Sequence, residues 1–242
     1  MLLSDLFEQL TIGEMSQLSM GGPNTHGVQP HDYHKIIPHI NLGLIEIYKR
    51  FDLKLSEVVI QQYDQIQTYY LRSKYAVTNT TSTEPVKYIE DSVYQPFEDD
   101  VLRIEKVINE DGQELYLNQE DSAWSESKTY WTVHTPMFDA VQVPYPESAN
   151  QMIVTYRASH AKIPVTLKDP STIEVHVPNA LLEGLLFYIG GRVNVNRGTE
   201  LSLAEGQTFM AKFEQSIQKV SELNLVNTID TENRKLDMNG WV

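Results

Sequence analysis

Residues 40–60 read INLGLIEIYKRFDLKLSEVVI, and the spacing of the apolar side chains changes in the middle of this stretch. Up to Phe51 the apolar residues recur every three or four positions, which predicts one face of a long helix. From Leu53 onward they come in short β-branched and aromatic runs, which predict strands. This change of period indicates that a helical part of the chain ends near Leu53 and that a β-rich part begins there.

The chain on the N-terminal side of this stretch has further helical patterns. Leucines at helical spacing occupy residues 2–10, and a T-x-x-E capping box at Thr11 predicts another helix start. An apolar stripe from Ile36 to Phe51 predicts the long helix. Pro38 lies inside this stripe, which places it either in the first turn or at a kink.

The chain on the C-terminal side first continues as strands and then returns to helices. Short apolar runs up to residue 176 predict about six to eight strands, with a hairpin turn at Asp111-Gly112. An apolar stripe follows from Leu181 to Val193. A second capping box at Ser202 opens a helix whose apolar face runs to Val220.

These patterns together predict an α+β fold. Neither helical end has enough apolar surface to form a domain alone, so we expect the N- and C-terminal helices to form one helical bundle with an antiparallel β-rich unit inserted between them. The predicted segments are 1–52, the N-terminal part of the bundle; 53–176, the inserted β-rich domain; 177–226, a C-terminal helical hairpin; and 227–242, an extended C-terminal arm.

Composition excludes several classes of protein. The 242 residues contain no cysteine, so disulfides, thiolate metal sites and cysteine nucleophiles are ruled out. With 19 Lys and Arg against 33 Asp and Glu, the net charge of −14 argues against a general nucleic-acid binder. The apolar stretches are too short to span a membrane, and residues 1–10 lack the basic region of a secretory signal. We expect a soluble protein that is made inside the cell.

Candidate chemistry in the sequence is sparse. No GxSxG, GxxxxGK[ST] or GxGxxG motif occurs, and we predict no catalytic residue, metal or cofactor. Two alternatives remain open. The first is a metal-dependent hydrolase built on the early histidines, which are His26, His31, His34 and His39. The second is a carbohydrate-binding module built on aromatic residues, which are Trp124, Tyr130 and Trp131.

The end of the sequence carries a large apolar side chain, Trp241, in a stretch without helical or strand periodicity. It either folds back on the core of its own chain or docks on a partner. A tryptophan is a frequent anchor of protein interfaces, so the second reading predicts a binding arm.

Several segments, in the same order along most of the chain, resemble the head-to-tail adaptor proteins of short-tailed bacteriophages, which are also called connector or tail-completion proteins. The resemblance is weakest from about Tyr75 to Tyr94. The segments that carry it are LLSDLFEQLTIGEMSQL (2–18), INLGLIEIYKRFDLKLSEV (40–58), PMFDAVQVPYPESANQMIVTYRASHAKI (136–163), LLEGLLFYIGGRV (181–193), EGQTFMAKFEQSIQKV (205–220) and NRKLDMNGWV (233–242).

The resemblance implies a structural protein of the virion neck, assembled in the host cytoplasm, with no enzymatic activity. Such adaptors form rings, usually twelve-fold, between the portal protein and the tail nozzle or tail tube protein, and DNA passes through the channel without specific binding. The alternative is that the chain is another component of the tail or of the baseplate. The portal-binding arm that the resemblance implies consists of Asn233, Arg234, Lys235, Leu236, Asp237, Met238, Asn239, Gly240, Trp241 and Val242.

Overall fold

The computed structural model describes residues 1–13, 28, 30–118, 132–195 and 200–226. The chain forms two compact units. One unit contains residues 1–53 together with the chain from residue 160 onward, and the other contains residues 54–159. The predicted helix start at Thr11 is wrong, because Thr11 lies in the last turn of the first helix (Leu3–Ile12), where its hydroxyl donates to the carbonyl oxygen of Phe7 at 2.8 Å. The rest of that predicted helix from residue 14 onward, the three aromatic residues of the carbohydrate hypothesis and the arm at 233–242 lie outside the described residues.

The first unit is built around one apolar helix. Its helices are α1 (Leu3–Ile12), α2 (Tyr33–Arg50), α3 (Asn179–Val195) and α4 (Glu200–Glu222). Helix α3 contacts each of the other three, and it is apolar on nearly all sides, as expected of a helix with neighbours around it. Helix α4 buries a single stripe, which consists of Ser202, Gly206, Phe213, Ile217 and Val220.

Helices α3 and α4 approach each other closely where two glycines meet. A Cβ atom added to Gly206 would lie 2.6 Å from Cγ2 of Val195 and 3.0 Å from the carbonyl oxygen of Gly191. A Cβ atom added to Gly191 would lie 3.2 Å from the carbonyl oxygen of Gly206. Because the backbones themselves are in contact here, a side chain at either position would push the helices apart.

Helix α2 is joined to its neighbours by packing and by an ion pair. Gly43 leaves room for the side chains of Leu185 and Tyr188 of α3. The guanidinium of Arg50 binds both carboxylate oxygens of Glu214 in α4, at 2.6 and 2.9 Å. This hydrogen-bonded pair lowers the pKa of Glu214 and raises the pKa of Arg50.

The second unit contains one continuous eight-stranded sheet. Along the sheet the strands follow the order β2-β7-β6-β5-β4-β8-β1-β3. Their bounds are β1 (Leu55–Gln61), β2 (Thr68–Tyr70), β3 (Ile89–Glu90), β4 (Val101–Asn109), β5 (Glu114–Leu117), β6 (Thr132–Met137), β7 (Ala140–Gln142) and β8 (Gln151–Ala158).

Strand β8, which lies between β4 and β1, contributes every second residue to the core. Met152, Val154, Tyr156 and Ala158 alternate along β8 and belong to the hydrophobic core of the unit. The predicted hairpin is also present, since β4 and β5 pair antiparallel and Gly112 in their turn has a φ of 79°. This prediction of a turn at Asp111-Gly112 is confirmed.

The fold class predicted from the sequence is wrong. The predicted architecture was a helical bundle that carries an inserted antiparallel β unit, whereas the structure has a large, curled, mixed sheet of eight strands. Strands β5 and β6 run parallel, with Tyr116 opposite Thr132 and Leu117 opposite Val133. The connection from 118 to 131 is long enough for the crossover that a parallel pair requires, whereas alternation along each strand is the same for parallel and antiparallel pairs. Residues 160–176, which the sequence grouped with the strands, lie in the first unit.

The curl of the sheet brings its two edge strands near each other. The hydroxyl of Tyr88, one residue before β3, accepts a hydrogen bond from the amide of Tyr70 in β2 at 2.8 Å and donates to its carbonyl oxygen at 3.1 Å. Ala76 also forms a bridge to Ile89 in β3. Burial raises the pKa of Tyr88, so its hydroxyl stays protonated and able to donate.

Replacing Tyr88 by phenylalanine is expected to lower the free energy of unfolding by about 1–3 kcal/mol, because the amide and carbonyl of Tyr70 lose their side-chain partner. Chemical denaturation of the variant and of the wild type measures the difference. Tyr94→Phe serves as the control, because Tyr94 is 100% exposed. Equal stability of Tyr88→Phe and the wild type would show that water replaces the hydroxyl at no cost.

Candidate functional site

A groove of ≈ 470 Å³ lies on the second unit. One wall is formed by residues 54–59, at the start of β1. The other wall is formed by residues 90–98, which leave β3 and lead toward β4. Asp100 and Tyr156 complete its lining.

Asp91 holds the wall at 90–98 in place. Its carboxylate accepts hydrogen bonds from the amide of Thr78 at 2.9 Å and from the amide of Phe97 at 3.0 Å, and it also accepts one from the Thr78 hydroxyl. Burial alone would raise the pKa of Asp91, but these hydrogen bonds outweigh burial and lower it. The loop is therefore tied to the turn at Thr78 by an ionised carboxylate.

The loop carries an apolar tip. The amide of Gln95 donates to the carbonyl oxygen of Ser92 at 3.0 Å and so closes a turn. The two residues inside the turn are outside the core, since Val93 is 84% exposed and Tyr94 is 100% exposed. Tyr94 is therefore a solvent-exposed tyrosine in a hydrogen-bonded turn, and tyrosine is a frequent anchor residue in protein interfaces.

Aromatic rings and one internal ion pair lie at the groove. The buried rings of Phe97 and Tyr156 pack with their centroids 5.9 Å apart. The hydroxyl of Tyr156 donates to Asp100 at 3.2 Å, and Nζ of Lys54 lies 2.7 Å from the other carboxylate oxygen of Asp100. Burial and, after it, the charge of Asp100 raise the pKa of Tyr156, so this hydroxyl remains a donor.

Three exposed glutamates, Glu57, Glu90 and Glu98, add to the groove lining. The positive charge of Lys54 is matched by Asp100, so the groove as a whole is negative. An acidic groove with aromatic side chains suits a cationic side chain next to an apolar one.

Further apolar side chains are exposed on both units. The turn between β6 and β7 exposes Met137 and Phe138, the latter by 62%. Four leucines of the first unit are also exposed, at the start of α4 and just after its end: Leu201, Leu203, Leu223 and Leu225. These side chains are candidate contact positions, with one set on each unit.

The early histidines do not form a site within the described part of the chain. His31 and His34 are exposed near the start of α2, and His31 lies 3.0 Å from the buried carboxylate of Asp32. His39 is half-buried, and its pKa is lowered by burial and by the charge of Arg192. Among the described residues, no three His, Asp or Glu side chains are close enough to hold a metal ion. His26 lies outside them.

The sequence does not predict the groove. Its loop falls in the stretch where the resemblance is weakest, and Glu98, Asp99 and Asp100 read as an ordinary solvated turn. One signal was present in the sequence. Val93-Tyr94 are apolar residues between Asp91-Ser92 and Gln95-Pro96, which are turn-forming residues, and such a pattern predicts an exposed apolar tip.

No protein-family model matches the chain, and a search of curated proteins found no match either. None of the helices in the described ranges combines the length and the hydropathy needed to cross a membrane.

Proposed function

We propose that the chain is a subunit of the head-to-tail adaptor ring of a short-tailed bacteriophage. The observation that carries the proposal is the set of six segments between residues 2 and 242 that resemble such adaptors in the same order. The resemblance includes both helical ends and the stretch 136–163, so it extends over both units.

The distribution of exposed apolar groups supports a ring subunit. A closed ring made by head-to-tail contacts needs two unlike surfaces on each subunit. The second unit offers an acidic groove beside the exposed Tyr94, and the first unit offers the exposed leucines of α4. Two surfaces of such different chemistry can bind two different neighbours.

The arm at residues 233–242 is assigned to the portal protein. Trp241 is its largest apolar side chain, and tryptophans that enter a pocket of a partner contribute strongly to binding. Residues 227–242 would reach about 55 Å if fully extended.

The charge of the chain also suits a conduit for DNA. Each subunit carries a net charge of −14, and twelve copies would carry about −170 before screening. Negative groups that face the channel repel the phosphates of DNA, so DNA slides past the wall instead of binding to it.

Co-sedimentation with purified portal rings of the same virus tests this function. We expect the full chain to sediment with the rings, and a chain without residues 233–242 to remain in the supernatant. Trp241→Ala should weaken binding about tenfold or more, whereas Tyr116→Ala, a change of an aromatic residue on the second unit, should leave it unchanged. If the truncated chain still sediments with the rings, the portal-binding role of the arm is refuted. If the full chain does not sediment with them, the proposed adaptor function is refuted.

A further inference from the structure

We infer that the imidazole of His160 is a pH-sensitive latch. In its neutral form the ring fixes the backbone of His176 beside α2, and uptake of a proton opens this contact. Both histidines lie in residues 159–178, which connect β8 with α3 and are called the connecting segment below. This conformational device goes beyond the adaptor function and does not depend on it.

The ring of His160 is engaged through both of its nitrogens. The residue is only 8% exposed. Nε2 accepts a hydrogen bond from the backbone amide of His176 at 3.2 Å, and Nδ1 lies 2.6 Å from the carbonyl oxygen of Ala161. A backbone amide can only donate, and a carbonyl oxygen can only accept. The two partners therefore require one form of the ring, which is neutral and carries its proton on Nδ1.

The backbone of His176 has a second side-chain partner. The hydroxyl of Tyr48 in α2 donates to the carbonyl oxygen of His176 at 2.6 Å. Burial raises the pKa of Tyr48, so the hydroxyl keeps the proton that it donates. The rings of Tyr48 and His160 also pack edge to face, with their centroids 5.7 Å apart. Tyr48 and His160 thus hold both the amide and the carbonyl of one residue of the connecting segment.

Uptake of a proton changes the contact at Nε2 of His160 but not the contact at Nδ1. An imidazolium donates from both nitrogens, so the new N–H would point at the N–H of His176. The amide of His176 would lose its acceptor, and a positive charge would be placed in a buried site. Both effects favour a conformation in which the ring leaves the amide and reaches water.

The titratable groups next to the ring add to this effect. On α2 the neighbour is Tyr48, whose hydroxyl is neutral. On the connecting segment the neighbour is His176, whose ring centroid lies 6.1 Å from that of His160. The side chain of His176 is 68% exposed and takes up a proton in acid, which adds a like charge. Glu174 lies 4.0 Å from Nδ1 of His176, but its side chain is exposed, so water screens its charge.

The stability of the chain should therefore depend on the protonation of His160. In the unfolded chain a histidine binds a proton below about pH 6.5, whereas the latched ring binds none. The unfolded state then holds one more proton than the folded state, so acid favours unfolding. The contribution of the latch is complete above about pH 6.5 and declines as the pH falls below this value.

Nitrogen NMR of the full wild-type chain with isotope-labelled histidine tests the form of the ring. At about pH 8 we expect His160 to show a bare Nε2 and a protonated Nδ1, and to keep this pattern to a lower pH than exposed His34 does. Loss of the signal in His160→Gln assigns it. A His160 ring protonated on Nε2, or one that takes up its second proton together with His34, would overturn the inference.

Urea unfolding between about pH 8 and about pH 5 tests the effect on stability. His160→Gln has no titrating ring, and its side-chain oxygen can still accept a hydrogen bond. We expect the unfolding constant of the wild type to rise relative to that of His160→Gln by up to about tenfold for each pH unit below about 6.5.

His34→Gln is the matched control for the unfolding experiment, because it removes an exposed histidine. The ratio of its unfolding constant to that of the wild type should change little with pH. A ratio for His160→Gln that stays constant over this range, or that changes only as much as the ratio for His34→Gln, would contradict the latch.

Amide hydrogen exchange determines whether the opening is local. In the wild type the amide of His176 should lose protection below about pH 6, and in His160→Gln it should keep it. The amide of Leu71, which donates to the carbonyl oxygen of Asp139 at 2.7 Å in the second unit, should stay protected in both chains. Unchanged protection of His176 in acid, or an equal loss at Leu71, would overturn the inference.

Discussion

Replacing Gly206 by valine is expected to lower the free energy of unfolding by about 3 kcal/mol. The new Cβ atom would lie 2.6 Å from Cγ2 of Val195 and 3.0 Å from the backbone oxygen of Gly191. A side chain can rotate away from such a contact, but the backbone of α3 cannot, so the two helices must separate. Separation exposes the single buried stripe of α4.

Gln207→Val is the matched control, because residue 207 is the exposed neighbour of Gly206 in the same helix. This variant also places a β-branched residue in the helix, which lowers helix stability, but its side chain does not contact α3. Urea denaturation of both variants measures the difference in free energy. A Gly206→Val chain as stable as Gln207→Val would contradict the close approach of α3 and α4.

Replacing Arg157 by alanine is expected to cost about 3 kcal/mol of stability. The Arg157 side chain is 2% exposed in β8, an interior strand of the sheet, and it lies 2.7 Å from the carboxylate of Glu105, whose side chain is 19% exposed. Removal of the guanidinium leaves a largely buried carboxylate without its main partner. It also leaves a cavity that the rigid sheet cannot easily close.

Arg103→Ala is the control for this pair. Arg103 reaches Glu105 as well, at 3.8 Å, but its side chain is 63% exposed, so we expect a loss below about 1 kcal/mol. Arg157→Met combined with Glu105→Leu should recover much of the stability, because an apolar pair needs no charge partner. Thermal and urea unfolding measure all three variants. Equal losses for Arg157→Ala and Arg103→Ala would mean that burial of the pair contributes nothing.

Local elements were predictable from the sequence because neighbours along the chain determine them. The apolar stripe that ends at Phe51 corresponds to α2, and the turn at Asp111-Gly112 joins β4 and β5. The change of period near Leu53 coincides with the start of the second unit at Lys54. Each of these features depends on side chains that lie within a few residues of one another in the sequence.

The architecture was not predictable in the same way because it depends on distant pairs. Strand β1 pairs with β8 along its whole length, Leu55 opposite Arg157 and Gln61 opposite Gln151, and alternation along either strand does not specify that partner. The long connection from 118 to 131 permits the parallel pairing of β5 with β6 but does not require it. The sequence indicated the strands but not their order in one sheet or the mixed character of that sheet.

The candidate site was not predictable from the sequence because it also depends on residues that are distant in the chain. The groove brings together the start of β1, the loop around Tyr94 and Tyr156 of β8, which lie far apart in the sequence. The portal-binding arm at residues 233–242 stays a prediction from the sequence, based on Trp241 in a stretch without periodicity and on the resemblance.

The mass of the assembly on portal rings tests the adaptor ring most directly. Twelve-fold portal rings are incubated with excess chain and weighed by mass photometry. A complete adaptor ring adds twelve copies of the 27.7 kDa chain, about 332 kDa, in one discrete step, and the chain without residues 233–242 adds nothing. Portal rings whose mass does not change with the full chain, or rises in a broad distribution that does not saturate, would contradict the assignment.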